Sequence, residues 1–177
     1  MRTTRNRYLS LLLLAGSIGT SVFAQQGPKL SDPEIASVAV TANQVDINYA
    51  AIAQKISKDP AIIEFANTMA KDHQGVIDQA VALVKKLNVT PKDNAVSQKL
   101  NADAETTKQT LNGKTGKDFD KAYIDNEVAY HTAVVSTVQD VLIPQSQNAE
   151  LKALLQQVLP VLKTHLEHAK MVQSNLK

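Results

Sequence analysis

An all-α bundle, four long helices with a shorter one between the second and third, is predicted by three observations. The chain has only six Gly in 177 residues and 4% aromatic content, with abundant Ala, Leu, Val, Lys and Gln, a composition that favours helix. Apolar residues recur in alternating steps of four and three along several segments, the helical period. No polar–apolar alternation of strand length interrupts them.

The first 24 residues stand apart. Arg2, Arg5 and Arg7 precede an apolar run from Tyr8 to about Gly19, and Val22-Phe23-Ala24 offers a small-residue cleavage site before Gln25. This order predicts a secretory signal peptide over 1–24, cleaved near Ala24. The run is shorter than the ~20 residues a spanning helix needs, and the chain has no Cys to carry a lipid. The expected mature protein is a single helical bundle domain, 25–177, without a transmembrane segment. Its expected location is periplasmic or outer-membrane-associated.

Helix one is expected over 33–57, with Asp32 as cap, Pro33 in the first turn and a stripe of Ile35, Val38, Ala42, Val45, Tyr49, Ile52 and Ile56. Helix two, 60–88, opens with Asp59-Pro60 and stops at Asn88 and Thr90-Pro91. A weaker amphipathic helix fills 93–112 and ends at Asn112-Gly113. Helix three, 117–143, is expected to stop before Pro144. Helix four spans 147–176, with Pro160 predicted to bend it one turn before His165. The linker 89–116 is long enough to travel the length of the bundle, so helices two and three can run in the same direction.

Removing the leader takes away three of the 19 basic residues and none of the 17 acidic ones, leaving 16 against 17. That near-neutral balance supplies no basic patch for nucleic acid. Without Cys there is no disulfide framework, and any metal would be held by His, carboxylate, Met or Tyr.

Three histidines occupy positions where the stripes call for leucine. His73 follows Ile62, Ala66 and Met69; His131 follows Ile124 and Val128; His165 follows Val158 and Leu162. Each lies near the middle of its helix, so packing would bring three imidazoles to similar depth, as bundles do when they build metal sites. Glu127, one turn before His131, and His168, one turn after His165, are the candidate further ligands. Asp46, Met69 and Met171 rank below them, and Tyr49 fits an amphipathic core ring whose hydroxyl finds a partner. Asp72 neighbours His73 in sequence, but adjacent helical residues do not face each other. Asp118 and Asp120 fit the positive end of a helix dipole. The chain shows no glycine-rich phosphate loop and no nucleophile-elbow serine.

Met69-Ala70-Lys71-Asp72-His73, Phe119-Asp120-Lys121-Ala122-Tyr123 with the later Val128-Ala129-Tyr130-His131, and the run from Leu159 to Ala169 together give the chain a resemblance to the domain of unknown function 4142 family. The resemblance covers nearly all of the mature chain. It implies an exported, ferritin-like helical bundle of the bacterial cell envelope and implies no reaction. Di-iron bundles draw on Glu-x-x-His pairs. This chain offers Glu127-x-x-x-His131 and His165-x-x-His168 but no Glu-x-x-His, so a single zinc or copper ion is expected rather than a di-iron centre. The competing expectation is a non-catalytic envelope or stress-associated interaction protein, binding an envelope protein partner, with a structural or pH-sensing histidine layer. A hydrolase or oxidase using the same metal is the third reading.

Overall fold

Ser31 and Glu34 close the first turn of helix α1 (Asp32–Ile56). The Glu34 carboxylate accepts from the Ser31 amide at 2.9 Å and from its hydroxyl at 2.6 Å, the reciprocal half of a capping box. The cap is therefore Ser31, one residue before the expected Asp32. The Asp32 carboxylate is used elsewhere: it accepts from the amides of Gln147 and Asn148 at 2.9 and 2.8 Å, pinning a distant connection to the start of α1. The structure, a computed structural model, describes residues 29–176, so the predicted signal peptide lies outside the described residues.

Helix α2 (Pro60–Lys86) opens as expected, with Asp59 accepting from the amides of Ala61 and Ile62. It ends two residues earlier than predicted, and Asn88 adopts the left-handed backbone, φ 53°, that follows many helix ends. Helix α3 (Ala95–Asn112) is capped by Asn94. Helix α4 (Gly116–Thr137) widens into a π turn over Val138–Leu142 and continues for one more turn, Ile143–Gln145. The expected stop before Pro144 is thus corrected. In the π turn the Ile143 amide reaches back to the Val138 carbonyl, and Pro144 falls in the first turn of the last segment, where its missing donor costs little. Helix α5 (Ala149–Asn175) runs unbroken through Pro160.

Hydrogen bonds and contacts between helix ends fix the directions. The Ser57 hydroxyl, after α1, donates to Asp120 at the start of α4, while Leu30 and Asp32 meet the connection after α4. These two helices are antiparallel. Short connections make α1–α2 and α4–α5 antiparallel hairpins, and Lys86 of α2 pairs with Glu150 of α5. It follows that α2 and α4 run in the same direction. The intervening α3 crosses the length of the molecule against α1, starting where the Lys92 amide and the Asn94 side chain bond the Pro33 and Glu34 carbonyls.

The interior has two apolar halves. One gathers Tyr49, Phe65, Met69, Phe119, Tyr123 and Ile124; the other gathers Ile35, Val38, Leu142, Leu151, Leu155 and Leu162. Along each of α1, α2, α4 and α5 the switch from one half to the other falls at a buried polar position. Those positions are Asn43 and Asp46, His73, Glu127 and His131, and His165.

Candidate metal centre

The three imidazoles converge. Ring centroids of His73, His131 and His165 are 5.6, 5.1 and 5.6 Å apart, and all three side chains are buried. One ring nitrogen from each lies within 4.8 Å of those of the other two.

Each ring has one nitrogen engaged and one without a hydrogen-bond partner. His73 Nδ1 lies 2.7 Å from Asn43 Oδ1, and the Asn43 amide nitrogen donates to the Ala39 carbonyl, which turns the oxygen toward the imidazole. His131 Nδ1 lies 3.0 Å from the Glu127 carbonyl, which can only accept. His165 Nε2 lies 3.1 Å from the Asp72 carboxylate. All three contacts therefore place the ring proton on the engaged nitrogen. In its neutral form each ring then carries its lone pair on His73 Nε2, His131 Nε2 or His165 Nδ1, the three buried nitrogens that no hydrogen bond satisfies.

Asp46, on α1, faces two of the three rings. Its Oδ2 is 3.2 Å from His73 Nε2 and 3.3 Å from His131 Nε2, within ion-pair range, yet neither carboxylate oxygen has a hydrogen-bonding partner. Lone pairs on nitrogen and oxygen at these separations repel unless a proton or a cation lies between them. Burial would raise the Asp46 carboxyl, but the facing charges of His73 and His131 outweigh it and hold the group below its usual range, as a carboxylate.

Glu127 behaves differently. Burial, reinforced by the Asp46 charge, pushes it up to about 8, so at neutral pH its carboxyl is largely protonated. Its Oε2 lies 3.4 Å from His131 Nδ1, the engaged nitrogen, and a second close group joins Glu127 to Asp46 and His131. For His131 burial acts downward, but the contacts with Glu127 and the Asp46 charge outweigh it and raise the group. Burial and the neighbouring His73 pull His165 down to about 4, leaving it neutral.

The structure thus brings together His73, His131, His165 and Glu127 of the residues singled out in the sequence. His168 is not brought in: its ring packs edge-on against Phe65, with centroids 5.1 Å apart. Met69 is core and Met171 is exposed. Asp46, ranked low in the sequence, sits at the centre. Asn43 and Asp72 carried no sequence assignment to the site. Asp72 does not face its neighbour His73, as helical geometry requires, but reaches across to His165 on α5. Asp120, near the start of α4, is buried and accepts from the Ser57 hydroxyl at 2.5 Å. A polar pair three residues apart in the middle of α1, Asn43 and Asp46, was the available signal for the missing wall of the site.

A family model described as Domain of unknown function (DUF4142) matches residues 19–172, and the chain belongs to that family. No curated protein and no solved structure matches the chain significantly.

Proposed function

We propose that this member of the DUF4142 family is an exported, ferritin-like bundle of the bacterial cell envelope that holds one transition-metal ion on His73, His131, His165 and Asp46. The observation that carries the reading is the division of labour on the three rings. Each engaged nitrogen is held by an amide, a carbonyl or a carboxylate, and each other nitrogen is buried without a partner. Metal-ligating histidines have this arrangement, with the second nitrogen fixed by an outer acceptor. Spacing supports a small tetrahedral ion. Donors ~2.0–2.2 Å from zinc lie about 3.3–3.5 Å apart along a tetrahedral edge. Asp46 Oδ2 is 3.2 and 3.3 Å from the two Nε2 atoms. Three imidazoles and one carboxylate suit zinc or copper better than a di-iron pair. Glu127, protonated and beside His131, serves as a neighbour of the ligands and a reserve carboxylate.

The ferritin-like assignment draws support from the shared direction of α2 and α4 and the long crossing that contains α3. The export assignment draws support from the basic start, apolar run and small-residue site of 1–24.

The test is elemental mass spectrometry on protein recovered from the exported fraction, beside the triple variant His73→Ala, His131→Ala, His165→Ala. Near-stoichiometric metal in the natural chain and none in the variant is the expected result. Absence of metal from both folded proteins would overturn the reading and leave the histidines as a polar layer of an envelope interaction protein.

A further inference from the structure

The described aromatic side chains lie in the first apolar half or pack against it, and the second half is built from aliphatic side chains. That second half does not fill its own volume. Along α2 the inner stripe is fully buried at Ile62, Ala66 and Met69 but only half-buried at Val76 and Leu83, which keep the same register. Both open onto a cavity of about 250 Å³. The cavity is drawn out along the bundle. Its wall runs from Ala36 to Tyr49 on α1 and from Asn126 to Leu142 on α4, about 20–24 Å at ~1.5 Å per residue. It also reaches Asp103 on α3 and Ala133 on α4, both exposed, which puts the mouth between those two helices.

The polar groups of the wall are committed to the protein. Asn43 holds His73 and the Ala39 carbonyl, the Tyr130 hydroxyl donates to the Ala42 carbonyl at 2.7 Å, and Tyr49 bonds Thr107 of α3. Asn126 keeps an amide nitrogen without a hydrogen bond, but that side chain lies beside the Glu127 carboxyl and favours its charged form. His73 and His131 turn their free nitrogens to Asp46, which is not part of the wall. Asp103, at the mouth, pairs with Lys99. The surface left for an occupant is hydrocarbon. Native interiors hold few voids larger than a water molecule. An apolar cavity of ~150 Å³ takes up benzene, which has six carbons, so one of about 250 Å³ has room for about ten. Spread along the bundle axis rather than gathered in one place, that volume suits carbons in a row. We infer that this cavity binds one unbranched alkyl chain of about ten carbons, its polar end left in water at the mouth. The volume admits one chain, and a two-chain lipid would leave its second chain in water. The occupant is therefore a free single-chain amphiphile.

The inference does not rest on metal binding, and its test is run on chelator-treated protein, so failure of one reading leaves the other standing. The probes are primary straight-chain alcohols from hexanol to dodecanol, each below its solubility limit, followed by ligand-observed NMR and calorimetry. One saturable site is expected, with affinity rising about fourfold per methylene up to decanol and level from there to dodecanol. The branched isomer of decanol, 3,7-dimethyloctanol, should bind about fivefold or more weakly than decanol, because its methyl groups overpack a narrow channel. Ala39→Leu and Ala80→Phe, which fill the channel from α1 and α2, should bring the plateau down to shorter chains. No saturable binding, a rise that continues unbroken to dodecanol, or equal affinity for the two isomers would overturn the assignment. So would an unchanged plateau in whichever filled variant folds. Sedimentation of the protein with dioleoylphosphatidylcholine vesicles would also overturn it, by making the source a bilayer lipid.

Discussion

Asp46 Oδ2 lies 3.2 Å from Nε2 of His73, on the side of the ring opposite the nitrogen that Asn43 engages. The ring is held between an acceptor that takes its proton and a carboxylate that faces its lone pair. A buried pair so arranged is incomplete without a cation or an added proton.

On the proposed site Asn43 matters without being a ligand. Asn43→Leu should lower zinc affinity about 10–100-fold, the usual effect of losing an outer hydrogen bond to a ligand histidine. Competition with a chromophoric chelator measures it, and an affinity equal to the natural chain's would refute the positioning role.

The two histidines of α5 should separate cleanly. His165→Ala is expected to lose bound metal, because its ring is one of the three that converge and its Nδ1 is buried without a partner. His168→Ala should retain it, because that ring lies on Phe65. Metal content after export decides the point, and loss in both variants would argue for a site reaching toward Phe65.

Zinc should stabilise the fold by mass action. At free zinc about a hundredfold above its dissociation constant the gain is about 2.7 kcal/mol, or roughly 5–10 °C in Tm for a domain of this size. Asp46→Asn should remove most of that gain. A full shift in Asp46→Asn would place the carboxylate outside the ligand set.

Metal-stripped protein should lose stability as pH rises from about 6.5 to about 8. Glu127 is raised to about 8, so above its unfolded value of 4.5 the folded chain binds more protons than the unfolded one, and stability falls with pH until the folded group ionises. His131, raised above 6.5, acts in the same sense: its contribution is complete below 6.5 and lost as pH passes the folded value. His165, lowered to about 4, acts oppositely, adding stability from pH 4 to 6.5 and opposing Glu127 there. The Glu127 share between 6.5 and 8 is about 1–2 kcal/mol at one proton per molecule. Denaturant unfolding at both pH values checks it, and Glu127→Gln should flatten the profile.

Asp120→Ala should cost about 1–3 kcal/mol, because it strands the buried Ser57 hydroxyl. Metal content should not change, since the pair joins helix ends away from the histidine layer. This variant separates loss of stability from loss of the site.

The helices were legible because their causes are local. Asp59-Pro60 starts α2 and Asn88 follows its end through backbone geometry that a few neighbouring residues control. The three histidines were legible for a related reason: a polar residue in an apolar stripe must face the interior if its neighbours do. The π turn before Pro144 was not legible, since a widened turn and a helix end both answer the same missing amide hydrogen.

The rest of the site depended on neighbours far apart in the chain. Asp46 became its central carboxylate because α1 packs beside α2 and α4, which brings His73 and His131 to one oxygen. Asp72 found His165 across a separation of 93 residues. Sequence periodicity determined which face of each helix turns inward and that three imidazoles would share it. Only the tertiary structure decided which nitrogens are engaged, which carboxylate ionises and where the aliphatic half leaves a cavity. Those outcomes follow from distances between side chains on different helices, and the order of residues along any one helix does not contain them.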